Sequence, residues 1–248
     1  MSEPQTRSVQ QLMDLSGRTA LVTGGSRGLG LQMAQALGEA GARLVISSRK
    51  ANELEEAAEQ LRADGIDVTP LAVDLADEDA VMGLADRALE VLGRVDILIN
   101  NAGFRGSSSI AEMSTDEWRA AAAGNYDGPF FCTRAVVPTM ISNGYGRIIT
   151  VSGLNSFHGR PNWSHVCGSK MGAMGMTKAL AVELARYNIL VNHVVPGAYV
   201  AHPDLTRIPV GRIGLAQELA NTYAFLASED ASYITGQTFH VNGGEIRG

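Results

Sequence analysis

Short runs of apolar residues alternate along this chain with longer segments in which apolar residues recur every three or four positions. The short runs predict β-strands at 19–23, 43–47, 67–73, 95–100, 147–152, 189–195 and 238–241. The longer segments predict amphipathic helices at 29–40, 50–63, 77–92, 115–123, 128–142, 164–186 and 215–227. One of these helices has Asp77 as its expected N-cap and Gly93 as its expected stop.

The order of these elements is typical of a parallel sheet whose strands are joined by crossover helices. We therefore predict an α/β fold with a doubly wound, mostly seven-stranded parallel sheet and helices on both faces. No internal repeat or linker interrupts the pattern, so we expect a single domain over 15–248. The polar residues 1–14 are expected to form a flexible N-terminal arm and lack the apolar run of a signal peptide.

Composition and charge argue against nucleic acids, membranes and metal ions as partners. The 248 residues carry a net charge of −6, without the basic stripe that nucleic-acid binding requires. No segment approaches the length of a membrane span, so no membrane partner is expected. Cys132 and Cys167 form no metal-binding or disulfide pattern, which predicts free thiols in a cytoplasmic protein and no metal site.

The glycine-rich turn TGGSRGLG, residues 23–30, joins the first predicted strand to the first helix. In such a turn Gly24 permits the tight bend, Gly28 permits close approach of a pyrophosphate, and Gly30 lets helix and strand pack together. The amides at the helix start then face the phosphates. This context predicts a Rossmann-type dinucleotide-binding domain, with further cofactor contacts from Ser26, Arg27 and Leu29.

The end of the second strand bears on the choice of cofactor. Sites selective for NAD(H) usually place a carboxylate there for the ribose 2′-hydroxyl, but this chain has Ser48 and Arg49. Arg49 and Arg27 can both pair with a 2′-phosphate. We therefore predict NADP(H) as the preferred cofactor and NAD(H) as the less favoured one. The alternative is that Arg49 merely begins the next helix.

Several motifs occur in the order found in the short-chain dehydrogenase/reductase family, which this chain resembles from Leu15 to Gly244. The resemblance implies that Asp74 and Leu75 lie at the adenine and that Pro196 and Gly197 flank the nicotinamide. The NNAG motif, residues 100–103, implies that the cofactor is also contacted by Asn101, Ala102 and Gly103.

Members of this family transfer hydride between the nicotinamide and a carbonyl or alcohol. A tyrosine acts as acid and base, a lysine follows it by four residues, and a serine precedes it by thirteen. Lys170 fits the lysine and also the ribose-binding role, and Asn125 fits the asparagine of the proton relay. However, Val166 stands at the tyrosine position and Gly153 at the serine position, so the usual proton donor is absent.

Ser152 and His165 each precede a replaced position by one residue and are themselves thirteen apart, so they are candidate substitutes. His165 and Lys170 are five residues apart on a helix, about 140° from alignment, so both cannot face the cofactor equally. The alternative is that His165 is a polar residue at the mouth of the site or faces a partner subunit. Weaker candidates are Tyr126, Asn155, His158 and Tyr199.

The segment after Gly197 also departs from the family. Ala201 stands where a carboxamide-binding threonine is common, and few residues remain for the usual substrate-covering lid. We expect either a truncated lid or a sequence that lacks the lid residues. The expected substrate pocket is lined by Phe104, Arg105, Leu154, Phe157, Trp163 and Tyr199.

These observations favour an NADP(H)-dependent oxidoreductase acting on a small carbonyl, alcohol or enone with an atypical proton donor. The alternatives are a cofactor-binding pseudoenzyme with a regulatory or structural role, and an engineered or diverged inactive variant. The resemblance also implies a homodimer or homotetramer formed through helices 128–142 and 164–186. Small residues that permit close helix approach, or alternatively packing on the chain's own sheet, are Gly168, Gly172, Ala173 and Gly175.

Overall fold

The computed structural model describes residues 12–199 and 204–247, and its centre is one parallel sheet of seven strands. The strands are β1 Thr19–Thr23, β2 Arg43–Ser48, β3 Val68–Ala72, β4 Ile97–Asn100, β5 Gly146–Val151, β6 Ile189–Pro196 and β7 Thr238–Val241. Their order across the sheet is β3-β2-β1-β4-β5-β6-β7. The chain thus winds outward in both directions from β1 and β4, and the carboxyl ends of these two strands lie side by side. The predicted α/β fold is confirmed.

Eight α-helices in the described part of the chain connect the strands. They are α1 Gly28–Glu39, α2 Ala51–Ala63, α3 Glu78–Leu92, α4 Thr115–Ala122, α5 Gly128–Asn143, α6 Asn155–His158, α7 Ser164–Leu184 and α8 Ala216–Ala227. Buried side chains of α1, α2 and α8 pack on one face of the sheet, and those of α3, α5 and α7 pack on the other. Both faces of the central strands are therefore covered, which explains why those strands are apolar almost throughout.

The boundaries of α3 follow from the residues predicted to set them. Asp77 accepts a hydrogen bond from the amide of Ala80 at 3.1 Å, and Gly93 ends the helix in the left-handed conformation with φ 78°. These contacts satisfy groups that helix ends leave unpaired. Pro70, which cannot donate to a ladder, lies in β3 at the edge of the sheet.

The sequence pattern missed two local features. Helices α4 and α5, predicted with a gap between them, are joined by a π-helical segment, Ala123–Asp127, whose flanking residues keep right-handed helical angles. The short helix α6 was not predicted, because a single turn of four residues carries no helical periodicity.

The chain contacts the domain before the predicted start at Leu15. The amide of Met13 donates to a carboxylate oxygen of Asp230 at 2.8 Å, while residues 1–11 of the predicted arm lie outside the described part. Among the described residues, no helix is both long and apolar enough to cross a membrane.

The small residues of α7 divide between two sides of the helix. Ala173 is buried against the protein, whereas Gly168, Gly172 and Gly175 are exposed. A Cβ at Gly168 or Gly175 would meet nothing within 4 Å. Packing on the chain's own sheet therefore accounts for Ala173 and is wrong for the three glycines.

Candidate active site

The glycine-rich turn is folded too tightly to admit side chains at two of its positions. Gly24 has φ +67°, and a Cβ there would lie 2.9 Å from the Cα of Ala102. A Cβ at Gly30 would lie 2.1 Å from the carbonyl oxygen of Gly24 and 2.5 Å from the side-chain nitrogen of Asn101. These contacts involve backbone atoms that cannot move aside, so α1 can begin this close to β1 only with glycine here.

Hydrogen bonds join this turn to the end of β4. The Asn101 side chain donates to the carbonyl oxygens of Thr23 and Gly24 at 3.0 and 3.1 Å. The Thr23 hydroxyl in turn accepts from the amides of Asn101 and Ala102 at 3.0 and 3.1 Å. Four hydrogen bonds therefore hold the glycine-rich turn and the segment after β4 together.

The space in front of the turn is open. Gly28 has φ +56°, and a Cβ built there would meet nothing within 4 Å. The amides at the start of α1 lie beside this opening, with Ser26 and Leu29 half-buried around it. A bare backbone cradle of this kind at a helix start fits a dinucleotide pyrophosphate.

The ends of β2 and β3 lie next to the same turn. The amide of Gly25 donates to the carbonyl of Ser47 at 3.1 Å, and the amide of Val73 donates to the carbonyl of Ser48 at 2.9 Å. Arg49 and Asp74 follow these strands and are exposed, while Leu75 is buried. The structure thus brings together the residues predicted to hold the adenosine half of the cofactor.

A carboxylate that was not predicted for this region reaches the cations beside the turn. Glu53, in the first turn of α2, lies 3.9 Å from the Arg27 guanidinium and 2.5 Å from the Lys50 ammonium. The hydrogen bond from Lys50 is the main cause that lowers the pKa of Glu53. The spacing of Lys50 and Glu53 was the available sequence signal, but it does not reveal the contact with Arg27.

Asn125 occupies the π-helical segment and is 3% exposed. Its side-chain oxygen accepts from the amide of Phe104 at 2.9 Å, and its nitrogen donates to the Phe104 carbonyl at 3.2 Å and to the Ser169 hydroxyl at 3.1 Å. Asn125 therefore clamps the loop after β4 to α7. π-helical insertions of this kind are frequent at functional sites.

Lys170 projects from α7 toward the carboxyl end of β5. Its ammonium donates to the carbonyl oxygen of Val151 at 3.4 Å. A Cβ at Gly103 would lie 3.4 Å from the same ammonium and 2.8 Å from the Asn125 oxygen, so only glycine leaves these groups room. Burial first, and then the charge of Arg105, lower the pKa of Lys170 to about 8.

The positions that the family resemblance assigns to serine and tyrosine carry no polar side chain. Val166 is 1% exposed, and a Cβ at Gly153 would meet nothing within 4 Å. The neighbouring Ser152 follows the residue that accepts from Lys170, and its buried hydroxyl has no hydrogen-bond partner within the described ranges. An unpaired hydroxyl at this place can bind a substrate oxygen.

His165 lies on another side of α7. It is 2% exposed, and its ring meets that of Phe104 edge-on with centroids 6.0 Å apart. A Cβ at Gly106 would lie 3.4 Å from the Nε2 of His165, so this side chain packs against the loop that follows β4.

A second histidine, His193 in β6, was missed. It is fully buried in register with Thr150 of β5, and neither ring nitrogen has a partner in the part of the chain that the structure describes. Burial first, and then the charge of Lys170, lower the pKa of His193 to about 4. The available signal was a histidine, beside Asn192, in a strand whose other residues are apolar.

The Pro196–Gly197 pair ends β6 against the last strand. Gly197 donates to the carbonyl of Val241 at 2.9 Å, and a Cβ there would lie 2.6 Å from the Cα of Asn242. The hydroxyl of Tyr199 donates to the same Val241 carbonyl at 2.8 Å, so this weaker candidate is used in packing. Ala201 lies outside the described residues.

Comparison with known proteins agrees with this geometry. The sequence profile of the short chain dehydrogenase family matches residues 18–205. The chain is 37% identical over 239 residues to 3-oxoacyl-(acyl-carrier-protein) reductase FabG of Staphylococcus aureus, covering 92% of this chain and 97% of that protein. It is 34% identical over 243 residues to BbsD of Thauera aromatica, a subunit of a hydroxy(phenyl)methylsuccinyl-CoA dehydrogenase, covering 94% and 98%.

Solved structures show the same similarity. The crystal structure of a candidate short-chain alcohol dehydrogenase from Sinorhizobium meliloti 1021 superposes with a TM-score of 0.90 at 35% identity, covering 94% of this chain and 98% of that one. A candidate gluconate dehydrogenase from Agrobacterium tumefaciens superposes with a TM-score of 0.89 at 34% identity and the same coverage.

Proposed function

The chain belongs to the short-chain dehydrogenase/reductase family of oxidoreductases, and on that premise we propose that it is an NADP(H)-dependent enzyme with an atypical proton donor. Its substrate is a small carbonyl, alcohol or enone. One observation carries the proposal: Asn125, Lys170 and Gly103 converge at the sheet edge, while the neighbouring tyrosine position holds the buried Val166.

The cofactor is assigned to the open turn and to the two strand ends beside it. The turn around Gly28 would hold the pyrophosphate, and Arg27 and Arg49 would hold a 2′-phosphate. When bound, the nicotinamide supplies or accepts the hydride. The relatives named FabG and BbsD, a reductase and a dehydrogenase, support a nicotinamide cofactor here.

We assign proton supply to Lys170 and binding of the substrate oxygen to Ser152. With a pKa of about 8, the Lys170 ammonium can release a proton near neutral pH more readily than an ordinary lysine can. Ser152 offers an unpaired hydroxyl directly after the carbonyl that Lys170 contacts. His165, packed on Phe104, is the less favoured donor.

The substrate class is inferred from the absence of a tyrosine at position 166. Reduction of a ketone builds negative charge on oxygen that a positioned acid must neutralise, and loss of such an acid costs roughly 10²- to 10⁴-fold in rate. Reduction of a conjugated double bond depends less on that group. The relatives act, by their names, on acyl-carrier-protein and CoA derivatives, so an acyl thioester belongs among the substrates tested.

The second candidate function is a pseudoenzyme that binds the cofactor without turnover. The observation that favours it is the absence of a hydroxyl at position 166, where a buried valine stands.

Two measurements separate these functions. Titration with NADPH, followed by nicotinamide fluorescence, measures binding. NADPH consumption with a simple ketone, a 3-oxoacyl thioester and an enone then measures turnover. We expect saturable binding and the fastest turnover with the enone. Binding without turnover on any of the three favours the pseudoenzyme, and the absence of binding contradicts both functions.

We further propose a homodimer or homotetramer, assembled through α5 and α7, in the cytoplasm. The exposed glycines of α7 lie on the same helix as Val182, which is 85% exposed, and α5 presents Phe130 at 41% exposed. Exposed apolar and small residues on these two helices suit close helix packing between subunits. Light scattering coupled to size exclusion measures the assembly, and a monomer contradicts it.

A further inference from the structure

A hollow of about 260 Å³ lies beside the glycine-rich turn, between α1 and α2. It is lined by Ser26, Arg27, Leu31, Glu53, Glu56, Ala57 and Gln60. The exposed Arg49 directly follows β2, and Lys50 separates it from the first residue of α2. Arg27, one of the two cations assigned to a 2′-phosphate, therefore lines a hollow that also contains two carboxylates.

Glu53 is the carboxylate that engages Arg27, and it also engages Lys50, the residue just before α2. One of its oxygens lies 2.5 Å from the Lys50 ammonium, and the other lies 3.9 Å from the Arg27 guanidinium. Glu53 is the less exposed member of both pairs, with 37% of its side chain exposed against 79% for Arg27 and 69% for Lys50. The carboxylate thus lies in the first turn of α2, and the two cations approach it from the solvent side.

We propose that Glu53 is a specificity-determining residue that sets how strongly this enzyme distinguishes a 2′-phosphate from a 2′-hydroxyl. It does so by neutralising Arg27 and Lys50 in the free protein and by repelling a phosphate that approaches them. This inference rests on the proposed assignment of the cofactor to the turn and of the 2′-phosphate to Arg27 and Arg49.

The direction of the effect follows from charge. A 2′-phosphate must draw Arg27 and Lys50 away from Glu53 and remain near that carboxylate, whereas a 2′-hydroxyl meets neither requirement. Exposed ion pairs are weak, so the cations are released at modest cost. We therefore expect that Glu53→Gln strengthens binding of a 2′-phosphorylated ligand by roughly 2- to 5-fold and leaves binding of the unphosphorylated ligand unchanged.

Calorimetric titration of the full chain with 2′,5′-ADP and with 5′-ADP tests this without turnover. The matched control is Glu55→Gln, which removes a carboxylate from the same helix but one that pairs with Arg62 at 2.7 Å. We expect the control to bind both ligands as the unmodified chain does. The gain from Glu53→Gln should also shrink at about 1 M salt, where the Debye length falls to about 3 Å.

The outcomes separate this inference from the proposed cofactor. An unmodified chain that prefers 2′,5′-ADP, with no gain from Glu53→Gln, overturns the role of Glu53 and leaves the NADP(H) assignment standing. A selective gain in a chain without that preference supports the role of Glu53 and contradicts the NADP(H) assignment.

Weaker binding of 5′-ADP by Glu53→Gln overturns the inference, because the carboxylate would then be accepting the 2′-hydroxyl. Equal gains from Glu55→Gln also overturn it, since they indicate only a change in net charge.

Discussion

The two halves of the site differ in how tightly the chain specifies them. In the cofactor half, Gly24, Gly30 and Asn101 occupy positions that no other side chain could fill without collision or a lost hydrogen bond. In the proton-transfer half, a Cβ at Gly153 would meet no described residue within 4 Å, and the Ser152 hydroxyl has no hydrogen-bond partner among the described residues. The comparison teaches that steric contacts can fix the residues of one strand end while a nearby strand end leaves room for substitution.

The largest effect is expected in the cofactor half. Gly30→Ala places a methyl group 2.1 Å from the Gly24 carbonyl oxygen, which belongs to the backbone. We expect a loss of about 3 kcal/mol or more in the free energy of unfolding, because overpacking against an immovable atom forces the backbone apart. NADPH binding should fall with it. Denaturant unfolding and NADPH titration measure both.

The control for this prediction is Gly83→Ala. Gly83 also lies in a helix, but a Cβ there meets nothing within 4 Å. It should gain up to about 1 kcal/mol from the better helix propensity of alanine. Equal stability and equal NADPH binding of the two variants would show that position 30 does not require glycine.

The next effect concerns the proton-transfer half. Val166→Tyr combined with Gly153→Ser restores the acid and its oxygen-binding partner, and the serine has room. We expect carbonyl reduction to increase by roughly 100-fold or more, as a positioned acid supplies. Val166→Phe with Gly153→Ser is the matched control, since it adds the ring without the hydroxyl. If both double variants react alike, the donor lies elsewhere.

A smaller effect tests Lys170 as the proton source. Its pKa of about 8 predicts that kcat/KM with a ketone falls as pH rises through 8, because the proton to be donated is lost. Lys170→Gln should be slower and should lack this decline. A decline that persists in the variant would assign the titration to another group.

Lys170 also links pH to stability, with a definite sign. Its pKa is lowered on folding, from 10.5 to about 8, so the unfolded chain binds the proton more tightly. The free energy of unfolding should therefore rise from pH 8 to 10.5 relative to that of the Lys170→Gln variant. Denaturant unfolding across this range measures the difference.

The smallest effect concerns His193, which has no partner among the described residues. Folding lowers its pKa from 6.5 to about 4, so protonation favours the unfolded chain. Stability should therefore be full above pH 6.5 and should decline toward pH 4. His193→Leu should flatten this decline and raise stability at neutral pH by about 1–3 kcal/mol, since an unpaired buried polar group is removed. An unchanged acid profile would assign the decline to the carboxylates.

The sequence by itself determined the fold class, the seven strands and the cradle. Alternation between apolar strands and amphipathic helices leaves few ways to bury both faces of a parallel sheet, and the turn TGGSRGLG has the glycine spacing of a dinucleotide-binding turn. The replacements at Val166 and Gly153 were also identified from the sequence. The family's serine, tyrosine and lysine are recognised by their spacing along the chain, which requires no knowledge of tertiary contacts.

Only the tertiary structure decided which polar groups face one another. Asn125 was predicted as a proton-relay residue, but its clamp on Phe104 and Ser169 depends on a π-helical segment with no sequence periodicity. The closeness of Glu53 to Arg27 and of His193 to Lys170 joins elements that are far apart along the chain. Charges and burial act through space, so the electrostatics of this site emerge only when the strands and helices are packed.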